Sequence, residues 1–186
     1  MKQSLSIEAR VAIAADQSIR AIVYHGLWFA TASAEHRKKF WNGLAEHWDA
    51  LRFYQAGQLY ALVLTLSCLF ERRRDTVNLR RLSVELDGLE LRRIEAAEPT
   101  AKKIEKLRHH LFAHRSGRLD REGIYDLAQI SSDEMKLLAQ EAFEISASFC
   151  LHLKMPTPPE PTNAIGAGFD MLEALTRDAK TNSPFA

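Results

Sequence analysis

Leu59-Tyr60-Ala61-Leu62-Val63-Leu64-Thr65-Leu66-Ser67-Cys68-Leu69-Phe70 is the stretch whose reading decides the fold. It carries no charge and is apolar on every side of a helical projection. A helix of that kind sits in the middle of a bundle, with partners around it. Upstream, Gly57 marks a change of character, and the pattern before it is amphipathic. Phe40, Leu44, Trp48 and Leu51 recur at four, four and three residues, which predicts a helix over 33–55. The basic run Arg37-Lys38-Lys39 reads as its solvated face. Before that, Ile7, Val11, Ala14, Ile19, Ile22, Val23, Leu27 and Phe29 predict a first helix over 6–32, with Ser4 or Ser6 as its N-cap.

Downstream, Glu71-Arg72-Arg73-Arg74-Asp75 reads as a surface turn. A shorter helix follows over 78–97, with Leu79, Leu82, Leu86 and Leu89 on one face. Pro99-Thr100 reads as the opening of the next helix, which runs to about Arg115 with Gly117 as left-handed C-cap. After a loop containing Gly123, Ser131 and Glu134 form a capping box. The helix it opens carries a stripe of Met135, Leu138, Ala142, Ile145, Phe149 and His152. Pro156-Thr157-Pro158-Pro159-Glu160-Pro161 is a stiff linker, and a last short helix over 167–179 offers Phe169, Leu172 and Leu175 for docking.

All six prolines lie at position 99 or later, and the first 98 residues hold only four glycines. Proline is strongly disfavoured inside helices, so that stretch favours them. The one hairpin-like pair, Asp87-Gly88, stands alone between no alternating runs. The expected fold is all-α: an antiparallel helical bundle of four to five main helices over residues 1–155, with a Pro-rich linker and C-terminal helical appendage over 156–186.

The 186 residues carry 25 Lys or Arg against 24 Asp or Glu, so the net charge is +1. That excludes a uniformly basic nucleic-acid coat and an acidic tail. The apolar share of 46% is that of a globular chain. Cys68 and Cys150 lie in apolar runs and match neither a disulfide framework nor a zinc ligand set. The start has no apolar signal core, and the apolar run 59–69 is too short to span a bilayer, so a cytoplasmic protein with no membrane partner is expected. The near-zero charge conceals a segregation. Residues 71–118 hold 13 basic and 8 acidic side chains, and the remainder holds 12 and 16. Lys102, Lys103, Lys106, Arg108, Arg115 and Arg118 face one nearby acid, Glu105. Such a surface attracts phosphates.

Three of the seven histidines, His109, His110 and His114, fall in this basic segment. Histidine is the side chain best suited to moving a proton near neutral pH. Arginine presents a fixed fork of donors to phosphate oxygens. Together they suit RNA cleavage without a metal: His takes the 2′-hydroxyl proton while Arg stabilises charge on the phosphate. On an ideal α-helix Arg108 and His114 differ by roughly 120° around the axis, so they do not share a face.

The stretch Leu107-Arg108-His109-His110-Leu111-Phe112-Ala113-His114-Arg115 resembles the HEPN superfamily, whose signature is Arg, a polar residue, several further positions and His. It is most similar to the abortive-infection (AbiU-like) branch, with its Ala-His-Arg ending. Leu66-Ser67-Cys68-Leu69-Phe70-Glu71 and Asn78-Leu79-Arg80-Arg81-Leu82 are also similar to that branch. The resemblance implies a bundle that dimerises with two motifs facing each other. It implies a metal-independent endoribonuclease of toxin or antiphage systems, with RNA, a second copy and an antitoxin or other regulatory protein as partners. By the resemblance Arg108 and His114 would be catalytic, with His109 at the polar position, while His110 is not part of the pattern; apart from the resemblance, Lys106, His110, Arg115 and Arg118 of the basic stretch are expected to bind substrate. Other members of such families are non-catalytic nucleotide-, RNA- or protein-binding modules, and that alternative stays open.

Neither a metal nor a cofactor is expected. His110 and His114 have the spacing of a metal-binding pair, but no Glu-x-x-His accompanies them. No glycine-rich phosphate loop or Gly-x-Ser-x-Gly elbow occurs. His25, His36, His47 and His152 read as structural or surface residues, and Cys68 as core. Trp28, Trp41 and Trp48 with Phe29, Phe40 and Phe53 read as an aromatic interface between the first two helices.

Overall fold

Ser6 accepts a hydrogen bond from Ala9 N–H, and helix α1 (Ile7–Ala32) starts there. The computed structural model describes residues 5–36, 38, 48–73, 75–113, 128–159, 161 and 163–181. Phe40, Trp41, Leu44, His47, His114, Arg115, Gly117, Arg118, Gly123 and the side chain of Leu175 lie outside the described residues. The described residues form an all-helical bundle with no strand.

Helix α2 spans Trp48–Phe70 without interruption. The boundary expected at Gly57 is therefore absent. Gly57 is exposed within the helix, with open space where a side chain would stand. One glycine costs a helix only about 1 kcal/mol, which the burial of Leu59, Leu62, Val63, Leu66 and Leu69 outweighs. The helix is thus 23 residues long, and among the described residues it alone is long and apolar enough to cross a membrane. The shorter apolar run had suggested otherwise. A third of that apolar window is buried by the rest of the chain.

The single helix expected over 78–97 is two. Helix α3 (Leu79–Glu85) is capped by the Asn78 side chain, which accepts from Arg81 N–H. The chain then turns through three left-handed residues, Asp87, Gly88 and Glu90. Gly88 N–H donates back to Ser83 O at 2.8 Å. The isolated Asp87-Gly88 pair is this turn: Gly88 has φ +82°, which only glycine adopts without penalty. Helix α4 (Leu91–Arg108) begins directly after it. Pro99 consequently lies inside a helix and does not open one. It is exposed, so the carbonyl its missing N–H leaves free, that of Glu95, has access to water. After Arg108 the winding changes to a π-helical segment, His109–Ala113.

Helix α5 (Ser132–His152) has the capping box in full, with Ser131 and Glu134 bonded reciprocally. Its stripe is buried through Phe149, but His152 is exposed at the helix end and does not continue it. Helix α6 (Ala164–Thr181) starts three residues before the expected position. It docks on α1 through close backbone approach: a Cβ at Gly26 would stand 2.6 Å from Ala164 Cβ, and one at Gly168 would stand 2.6 Å from Ala30 Cβ. Leu172 is buried there beside Leu51, with Trp48 and Phe169 against them.

Two core clusters give the helix directions. One joins Val11 and Ala14 near the start of α1 with Leu69 at the end of α2, Ile94 at the start of α4 and Phe149 at the end of α5. The other joins Ala21 of α1 with Leu59 and Leu62 of α2, Ile104 and Leu107 of α4 and Met135 of α5. Neighbours therefore run antiparallel, and α1, α2, α4 and α5 close a ring in which each packs on the next. Helix α3 covers one end. The aromatic interface is only partly present: Trp28 packs against the second cluster, but Phe53 is 80% exposed.

Candidate functional site

A cleft of about 830 Å³ opens between the C-terminal end of α2 and one face of α4. Helix α4 contributes Glu98, Ala101, Lys102, Glu105 and Arg108 at three- and four-residue spacing, which is one helical face. The first residue of the π-helical segment, His109, continues that wall. The opposite wall is Ser67, Phe70, Glu71, Arg72 and Arg73. Arg72 and Arg73 are placed by the turn after α2, where buried Asn78 donates to Arg73 O at 2.8 Å.

Arg108 reaches across the cleft. Its Nη1 donates to Ser67 Oγ at 3.0 Å and lies 3.7 Å from Glu71 Oε2. The fold thus brings the 66–71 stretch, one of those carrying the family resemblance, into contact with the Arg of the motif. Reading the sequence for charge missed Ser67 and assigned Glu71 and Arg72 to a solvated turn. The 66–71 resemblance was the available signal.

Of the other expected site residues, His109 lines the cleft, whereas Lys106 and His110 do not. The His109 and His110 rings stand 5.5 Å apart and nearly perpendicular. The expected α-helix to Arg115 is not what the described residues form. Its α-helical part ends at Arg108, and the π winding of 109–113 removes the basis for projecting the motif on an ideal α-helix. Single π turns insert an extra residue into a helix and recur at functional sites.

Several cations of the segment, among the described residues, have carboxylate partners. Glu98 pairs with Arg72, with Arg80 at 3.4 Å and with Lys102 at 3.6 Å. Desolvation pushes the Glu98 carboxyl up, but these three cations together outweigh it and hold the group below the ordinary carboxylate range. Beyond the cleft, Arg93 grips Glu141 and Glu144, and Lys103 pairs with Glu134, tying α4 to α5. Cys68 is half-buried, not core as expected, and burial together with Glu71 raises its thiol above the ordinary value. A raised thiol stays protonated and is a poor nucleophile.

A second cavity of about 190 Å³ lies between α1, α5 and the start of α6, lined by His25, Lys136, Gln140 and Asn163 among others. Buried His25 is committed there to Ser132, 3.0 Å from its carbonyl and 3.2 Å from its hydroxyl, and burial lowers its pKa. No group of three His, Cys, Asp or Glu arranged to hold a metal occurs among the described residues. No family model matches this chain, and neither a curated protein nor a solved structure matches it.

Proposed function

We propose that the chain is a metal-independent endoribonuclease of HEPN type, acting in the cytoplasm as a homodimer in toxin or antiphage defence. The observation that carries the reading is Arg108, held across an open cleft with His109 beside it. A histidine, His114 by the resemblance, exchanges protons while Arg108 offsets charge on the scissile phosphate. The 2′-hydroxyl loses its proton, its oxygen bonds to phosphorus, and the 5′-oxygen leaves and takes a proton. The products are a 2′,3′-cyclic phosphate and a 5′-hydroxyl. Two copies facing each other would supply the second proton-bearing group.

The test is RNA cleavage in excess chelator by the native protein, His114→Ala and Arg108→Ala. Cleavage with cyclic-phosphate ends, reduced about 100-fold or more in both variants, is expected. Equal activity in all three, or loss on chelation, overturns the reading. One observation favours a second reading, a non-catalytic module that binds nucleotides, RNA or a protein. Two carboxylates, Glu98 and Glu71, stand beside Arg72, Lys102 and Arg108, which weakens the pull on a polyanion. Binding that survives His114→Ala with no cleavage of any RNA supports it.

A further inference from the structure

Arg108 is anchored through one terminal nitrogen, Nη1, shared between Ser67 and Glu71. Among the described residues its Nε and Nη2 have no partner. Those two N–H groups form one edge of the guanidinium, with donors that suit a two-oxygen acceptor. Among the described residues, Arg73 and Arg93 both use that edge on carboxylates. Arg73 Nε and Nη2 donate to the two oxygens of Asp75 at 3.0 and 2.7 Å. Arg93 Nε and Nη2 do the same to Glu141 at 2.7 and 2.9 Å. The two non-bridging oxygens of a phosphodiester present the same pattern of acceptors. The Arg108 side chain is 38% exposed and lines the cleft, so the edge is accessible.

What orients the edge is Ser67. It is 6% exposed, on the core helix α2, and its hydroxyl accepts from Nη1. Without that bond the nearest acceptor is Glu71, and rotation of the guanidinium onto the Glu71 carboxylate would consume the open edge. We propose that Ser67 is a positioning residue: its hydroxyl holds Arg108 so that the Nε/Nη2 edge takes a phosphodiester and is not captured by Glu71. The choice of substrate rests on the ribonuclease reading; the geometry does not.

The experiment measures affinity for a non-cleavable 2′-O-methyl RNA oligonucleotide, in chelator, by the native protein and four variants. Ser67→Ala should weaken binding by about tenfold, the scale of one charge-assisted contact. Ser67→Thr, which keeps the hydroxyl, and Glu71→Gln should bind at least as tightly as about a third of native affinity. The double variant Ser67→Ala/Glu71→Gln should recover most of the loss, because the competing carboxylate is gone. A general structural defect from Ser67→Ala would not be repaired in this way. Binding by Ser67→Ala equal to native, no recovery in the double variant, or no binding by the native protein overturns the proposal. Cleavage of the matching all-ribose oligonucleotide is followed in parallel. Native protein that binds with this variant pattern but does not cleave removes the ribonuclease reading and leaves the positioning role. Cleavage without the variant pattern does the reverse.

Discussion

At the scale of single residues, the most perturbed carboxylate in the described part of the chain is structural. Arg10 of α1 grips both oxygens of Glu85 at the end of α3, and Arg81 adds a bond at 3.0 Å. The Arg10 hydrogen bonds, against a smaller cost of burial, pull the Glu85 carboxyl down from 4.5 to about 2. A carboxylate whose folded pKa is depressed contributes stability above its unfolded pKa, and that contribution is lost as pH falls through the folded value. Denaturant melts should therefore show stability declining between about pH 4.5 and pH 2, with a shallower decline in Glu85→Gln. His25 adds a second step with the same sign. Burial lowers its pKa in the fold, so the unfolded chain takes the proton first as pH drops below about 6.5. An equal acid response in Glu85→Gln and native protein would contradict the Glu85 assignment.

At the scale of elements, Pro99 and Gly26 mark where local rules and packing part company. Pro99 sits nine residues into α4 and is exposed. Replacing it with Ala restores an N–H to the helix and removes the ring from the preceding turn. Pro99→Ala should raise unfolding stability by about 1–2 kcal/mol, less than the full helix penalty because proline also stiffens the unfolded chain. Had Pro99 opened the helix, the same change would be neutral or unfavourable. Gly26 has the opposite role: a Cβ there would meet both the side chain and the backbone of α6, at 2.6 and 2.9 Å. Gly26→Ala should cost about 1–3 kcal/mol by overpacking. It should also make α6 more susceptible to limited proteolysis while circular dichroism keeps the bundle's helical signal. Undiminished protection of α6 would show that the contact is not what holds it.

At the scale of the whole molecule, the ring of α1, α2, α4 and α5 converts a charge pattern into a surface. Among the described residues, Glu98 pairs with Arg72 and Arg80 inside the basic segment 71–118, and the α5 acids Glu134, Glu141 and Glu144 offset part of its excess from outside, in pairs that tie α4 to α3, α5 and the turn after α2. Exposed pairs of this kind contribute little to stability, about 0–1 kcal/mol each, but they lower the net field in the cleft. Affinity for single-stranded RNA should therefore depend weakly on salt. The slope of log K against log salt should stay shallower than about −2, near the value for two or three neutralised phosphates. A slope of about −4 or steeper, measured by anisotropy across a salt series, would mean that the ion pairs open on binding.

Much of this was legible in the residues. Period and capping chemistry located α1, the Ser131–Glu134 box and the apolar run at the heart of α2, because these signals act within a few residues. The π-helical segment, the passage of α4 through Pro99 and the continuity of α2 through Gly57 were not legible. Each depends on whether distant burial outweighs a local penalty of a few kcal/mol. The candidate site divides in the same way. Arg108 and His109 stood out as a local motif in a basic stretch, since composition and spacing are properties of the chain alone. That Ser67 anchors Arg108, that Glu71 competes for it, and that Lys106 and His110 lie off the cleft were decided by the tertiary structure. Ser67 and Glu71 stand some forty positions before Arg108, and only the antiparallel packing of α2 on α4 brings them within 4 Å of it.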